Sequence, residues 1–175
     1  MNPQFELEQS KVTLVHLNPR TEKHGDADVP ACDLKIQLHD TNGMLAMFHP
    51  TLRSHLYESD SSDQSVIEGV EGLTRRRFGS LIERVRLSTS LKGADVVIGF
   101  GLGDKSDIPL DTVDVDSFIL DLLEGGTVGL TFRIKARPTG EQMRRLYEVM
   151  GGEVDLTVTP AVEKQGSLGL PTAVE

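Results

Sequence analysis

Residues 127–159 constrain the fold of this chain more than any other stretch, because three local signals follow one another in them without a gap. From 127 to 137, Val128, Leu130, Phe132, Ile134 and Ala136 alternate with Thr, Gly, Arg and Lys. That is the period-two pattern of a strand with one buried face. Thr139 and Gln142 then stand at the spacing of a capping box, and Met143, Leu146, Tyr147 and Met150 follow at helical spacing until Gly151 and Gly152 stop the run. Residues 153–159 alternate again through Val154, Leu156 and Val158 before Pro160. The expectation is strand, short helix, strand.

Further strands are expected at 11–17, 31–39, 78–88, 95–102 and 108–120. The clearest is 31–39, where Cys32, Leu34, Ile36 and Leu38 alternate with polar residues. The polar stretch 18–30 between the first two strands reads as a long loop, and long loops are more often functional or mobile than incidental. A helix is expected over 44–57, with Pro50 in a first turn. If Gly125 and Gly126 form a two-residue hairpin turn, Ile119 faces Phe132, Val115 faces Ala136, Asp116 faces Lys135 and Asp114 faces Arg137.

These elements add up to an α+β fold, a mainly antiparallel twisted sheet of about six or seven strands with two helices, near 44–57 and 141–150, packed on one face. Residues 1–160 form one domain of ordinary size, with an acid-rich internal linker at 58–74 and a flexible tail at 161–175. Exposed sheet edges favour a homodimer.

Composition narrows the function classes. The 175 residues carry a formal charge of -9, with 5% aromatics and no Trp, so stacking platforms for bases are scarce and non-specific attraction to nucleic acid is weak unless bases cluster. Cys32 is the one cysteine, which excludes a disulfide framework or a cysteine-rich zinc module; its place on an apolar face suits a buried thiol. No stretch has the length and apolarity of a membrane span, so no membrane partner is expected, and the default is a protein of a reducing cytoplasm.

Four groupings could carry chemistry. His24, Asp26 and Asp28, with His16 and His39 nearby, are suitable metal ligands in no recognisable spacing, so they stand as weak candidates. Asp114 and Asp116 share a strand face within an acidic stretch and could hold Mg²⁺ in a phosphodiester hydrolase. Gly99, Gly101 and Gly103 suggest a phosphate loop, without the Lys-Ser/Thr ending. Two basic clusters remain: Arg75, Arg76, Arg77, Arg84 and Arg86 in one, and Arg133, Lys135 and Arg137, with Arg144 and Arg145, in the other. Alternate strand positions lie roughly 6.5–7 Å apart and could track successive phosphates.

At LNPRTEKHGDADVPACDLKIQL and EQMRRLYEVMGGEVDLTVTP the chain resembles a group of uncharacterised proteins encoded by tailed phages and prophages. The resemblance implies a bacterial host cytoplasm and a neighbourhood of DNA replication or recombination, and it brings no catalytic residue or cofactor. The expected function is therefore a non-catalytic accessory or binding protein that contacts nucleic acid or a protein of DNA metabolism. The alternatives are the metal-dependent hydrolase and an acidic inhibitor that mimics DNA.

Overall fold

Strands that alternate along ten or more residues bury one face and need a partner at each edge, and in this chain that need is met by closure. The computed structural model describes residues 4–60, 72–103 and 105–161. In chain order they form β1 (Leu7–His24), β2 (Ala27–Thr41), a 3₁₀ segment (Asn42–Met47), α1 (Leu52–Leu56), β3 (Tyr57–Ser59), β4 (Leu73–Arg76), a 3₁₀ turn (Gly79–Leu81), β5 (Arg84–Arg86), β6 (Leu91–Gly99), β7 (Ile108–Leu122), β8 (Thr127–Ala136), α2 (Gly140–Glu148) and β9 (Glu153–Thr159).

Neighbouring strands run β7-β6-β9-β1-β2-β8, and β8 pairs back onto β7, so six antiparallel strands close into a barrel. β5 lies outside it along β7, and β3 with β4 forms a separate ladder. The expected α+β arrangement, an open sheet with helices on one face, is thereby overturned. The helices are too short to form a layer. The 44–57 region is a 3₁₀ segment followed by the five-residue α1, and α2 buries Leu146 while its Gln142 amide donates to the Pro109 carbonyl at 2.9 Å. Closure also removes most of the open edge from which a homodimer was expected.

Closure is possible because β7 bends. Thr112 and Ser117 take φ of 53° and 60°, and the register shifts between Asp116 and Ile119. The first part of β7 thus pairs with β6 and the rest with β8 and β5. Such irregularities turn a strand around a barrel corner. The wall encloses a single apolar core, in which Phe5, Phe48, Phe118 and Phe132 form one aromatic cluster with ring centroids 4.9–5.7 Å apart. Phe5 comes from the irregular segment ahead of β1. Cys32 is fully buried, as its place on the apolar face suggested.

The strand–helix–strand reading of 127–159 matches β8, α2 and β9, and the Thr139/Gln142 capping box is present in both directions. Three other expectations need correction. The loop at 18–30 is instead the extended end of the β1–β2 hairpin, paired out to His24 opposite Ala27. The strand at 78–88 shrinks to β5, because Phe78 and Leu81 turn out to solvent. The β7–β8 register also differs: Leu122 faces Val128, Asp116 faces Arg133 and Asp114 faces Lys135. The connection is one residue longer than a two-residue turn, since Leu123 N–H donates to the Thr127 carbonyl at 3.0 Å around Glu124, Gly125 and Gly126. The bulge near Ser117 shifts the register once more. The two ends of the linker fall in β3 (Tyr57–Ser59) and β4 (Leu73–Arg76), which pair with each other, while residues 61–71 and the tail beyond 161 lie outside the described residues.

Candidate interaction surface

The outward residues of the barrel wall form cross-strand rows, and the rows on β1, β2, β8 and β7 are charged. One row runs His16, Lys35, Arg133, Asp116, and the next runs Asn18, Asp33, Lys135, Asp114. Asp33, Arg133, Lys135 and Asp116 of these rows join Arg20, Glu22 and Arg137 in a continuous ion-pair network. Arg137 Nε lies 2.8 Å from Glu22 Oε2, Glu22 also pairs with Arg20, and Arg20 Nε lies 2.6 Å from Asp33 Oδ1. Arg133 approaches Asp33 at 3.8 Å and holds Asp116 through two bonds, at 2.9 and 3.3 Å, and Lys135 meets the same carboxylate at 2.8 Å. Burial opposes ionisation of Asp116, but the hydrogen bonds from Arg133, Lys135 and Ser117 outweigh it and hold the carboxyl well below the usual range. Arg137 and then Arg20 likewise depress Glu22.

Bases expected to face phosphate are therefore already matched to acids. In the other cluster, Arg75 and Arg77 share Glu58 at 3.3 and 3.4 Å, Arg76 meets Glu124 at 2.8 Å, and Arg84 meets Asp121 at 2.6 Å. The two clusters do not merge, since Arg75 and Arg76 lie on the separate β3–β4 ladder. Arg144 pairs with Glu141 and Glu148 along α2, and Arg145 stacks over the Phe100 ring at 5.5 Å. On the barrel wall and β5, Lys35 and Arg86 are among the described bases with no carboxylate within ion-pair distance, as are Lys23 at the hairpin tip, Lys105 and Arg145. Lys35, with His16, Arg133 and Ile119, lines a shallow depression of about 240 Å³.

The catalytic and metal candidates separate. Asp114 bonds Lys92 Nζ at 2.9 Å and takes a contact of 3.4 Å from the Gly93 N–H, while Asp116 is saturated by its bases, so the two carboxylates do not converge. His24, Asp26 and Asp28 lie exposed at and beside the hairpin tip, and no group of three or more potential metal ligands comes together among the described residues. The loop through Gly99, Gly101 and Gly103 borders a groove that Asp107 and Asp155 also line, a setting that repels phosphate.

What the sequence did not announce is the arm. β9 pairs with β1 only as far as Thr13, and β8 pairs with β2 only from Cys32 onward. Leu14 still bonds the Gly151–Gly152 turn; past it, among the described residues, β1 and β2 pair with each other alone, and every residue from Thr21 to Pro30 is exposed or half-buried. Its tip is a two-residue turn. Gly25 has φ of 62° while Asp26 keeps a negative φ, the pattern of a type II′ hairpin. Arg20, Glu22, Asp33 and Lys35 at its root were missed as site residues; their regular alternation of polar with apolar positions was the available signal. No helix among the described residues is long and apolar enough to cross a membrane. Compared with known proteins, the chain matches no family model, no curated protein and no solved structure.

Proposed function

We propose that this chain is a non-catalytic binding protein that docks another protein through the β1–β2 arm, with the barrel as its rigid base. The observation that carries the reading is the arm itself. An isolated two-stranded ribbon is marginal in water, and this one extends past the wall with both faces uncovered. Its root is held in place by the ion pairs from Arg20 and Arg137 to Glu22 and Asp33. A ribbon held rigidly at its root loses less conformational freedom on docking. In a phage-encoded accessory protein, as the sequence resemblance suggests, the partner class is a protein of DNA metabolism in the host cytoplasm.

A photo-crosslinking residue placed at Thr21 or Lys23 tests this, beside one at Thr131 on the wall. In infected or prophage-bearing cells, a protein adduct at the arm positions that is absent at Thr131 supports the reading. Equal labelling at all three, or none, removes it.

Lys35 favours a second reading, nucleic-acid contact across the β2–β8 face, because it adds an uncompensated base beside Arg133. Binding of labelled single- and double-stranded DNA over a salt series, with Arg133→Glu/Arg137→Glu as comparison, tests it. Binding that weakens with salt and vanishes in a folded variant supports that contact; no binding at low salt ends it.

A further inference from the structure

Among the described residues the arm's two backbone edges have no strand beside them, and such edges ordinarily recruit other strands. The positions of its prolines bear directly on that hazard. In a hairpin closed by a two-residue turn the flanking residues, here His24 and Ala27, exchange both backbone hydrogen bonds, and every second pair away from the turn does the same. Counting back along the observed register, Glu22 with Val29, Arg20 with Ala31 and Asn18 with Asp33 are bonded pairs. Lys23 with Asp28, Thr21 with Pro30 and Pro19 with Cys32 are the alternate pairs, whose N–H and C=O groups point away from the hairpin.

Both arm prolines thus fall at outward positions, where the missing N–H costs the hairpin nothing and the ring stands in the path of an incoming strand. The same parity explains where the barrel wall ends. Cys32 pairs with Ala136, so the next bonded pair between β2 and β8 would set Pro30 opposite Pro138. Neither has an N–H to give, and β8 departs toward α2 at that point.

We propose that Pro19 and Pro30 close the arm's two edges to strand addition, so that the arm remains a two-stranded ribbon offering only its side-chain faces, and that without them it would pair edge to edge with a second copy of the chain. The inference rests on the register alone and is independent of which partner the arm docks. Sedimentation velocity of the full chain over a wide concentration range, wild type against Pro19→Thr/Pro30→Thr, tests it together with amide exchange of the arm. The double variant should shift to larger sedimentation coefficients as concentration rises, with slowed exchange at Thr21, Lys23 or Asp28. Coefficients and exchange rates equal to wild type would overturn it. Two single substitutions test the parity even if that variant misfolds. Thr21→Pro, at an outward position, should leave arm exchange unchanged, whereas Glu22→Pro, at a bonded position, should abolish protection along the arm. The same effect from both would refute the assignment.

Discussion

Replacing Phe5 by Ala should be among the most damaging single changes in this protein, although Phe5 lies outside every helix and strand. Chain ends ahead of the first element usually fray. This one is held because the Phe5 ring is buried, stacked on Phe48 at 5.5 Å and edge-on to Phe118 and Phe132 at 4.9 and 5.2 Å. Removing a buried ring of this kind forfeits roughly 2–3 kcal/mol of transfer free energy. Each lost aromatic pair adds up to about 0.5–1.5 kcal/mol, and measured Phe→Ala losses of about 3–5 kcal/mol bound the sum. An expected loss of about 4 kcal/mol corresponds, for a chain of this size, to a fall in Tm of roughly 8–16 °C. With an m-value near ~2 kcal/mol/M, the urea midpoint should fall by about 2 M. Phe78→Ala is the matched control. The Phe78 ring is 45% exposed, so its loss should stay within about 0.5 kcal/mol. Urea unfolding followed by far-UV circular dichroism measures both. A Phe5→Ala loss below about 1 kcal/mol, or one equal to that of Phe78→Ala, would refute the view that the Phe5 ring is an integral part of the barrel core.

Asp116→Asn should lower stability most above about pH 4, the unperturbed carboxylate range. Because the folded carboxyl titrates below its unfolded value, its contribution is present above the unfolded pKa and is lost as pH falls toward the folded one. A gap between wild type and variant that is flat with pH would contradict this. Tyr57→Phe should cost about 1–2 kcal/mol in chemical unfolding, since the buried hydroxyl serves the Leu123 and Thr127 carbonyls at 3.0 and 3.1 Å and so ties β3 to the β7–β8 turn; an unchanged midpoint would show that water replaces it freely. Thr139→Ala removes one half of the α2 capping box and should cost about 1 kcal/mol, with faster amide exchange at Gln142 as the local signature.

Local periodicity made β8, α2 and β9 legible, because each is encoded by side chains a few residues apart. Closure was not legible in that way. It depends on β9 slotting between β6 and β1 and on β2 meeting β8, choices made by edges far apart in the chain. The helix expected over 44–57 has its apolar residues for a simpler reason: Met44, Leu45, Leu56 and Tyr57 enter the core from short turns that the helical pattern cannot distinguish from one helix. The misplaced β7–β8 register came from assuming that Gly125 and Gly126 act alone. In fact Gly125 N–H donates to the Thr74 carbonyl and the Gly126 carbonyl accepts from Asn42 N–H, so tertiary partners set the loop. The basic residues were visible as alternate positions on strands, but their neutralisation was not. Glu22, the partner of Arg137, lies 115 residues away.

The place of β9 sets a timetable for synthesis. Leu7 pairs with Val158 and Val12 with Val154, while the other edge of β9 pairs with β6. Until β9 leaves the ribosome, β1 and β6 each lack a neighbour, and the nascent chain carries an open sheet whose apolar interior faces water. Contacts of such long sequence separation form slowly, so the interval before β9 arrives is when a chaperone has most to protect. The same adjacency places the start of β1 beside the end of β9. A linker running from the end of β9 into the segment that carries Phe5, with new termini opened in the Gly99–Gly103 loop, should give a circular permutant in which β9 emerges before β6, and the order of closure could then be read directly from its refolding.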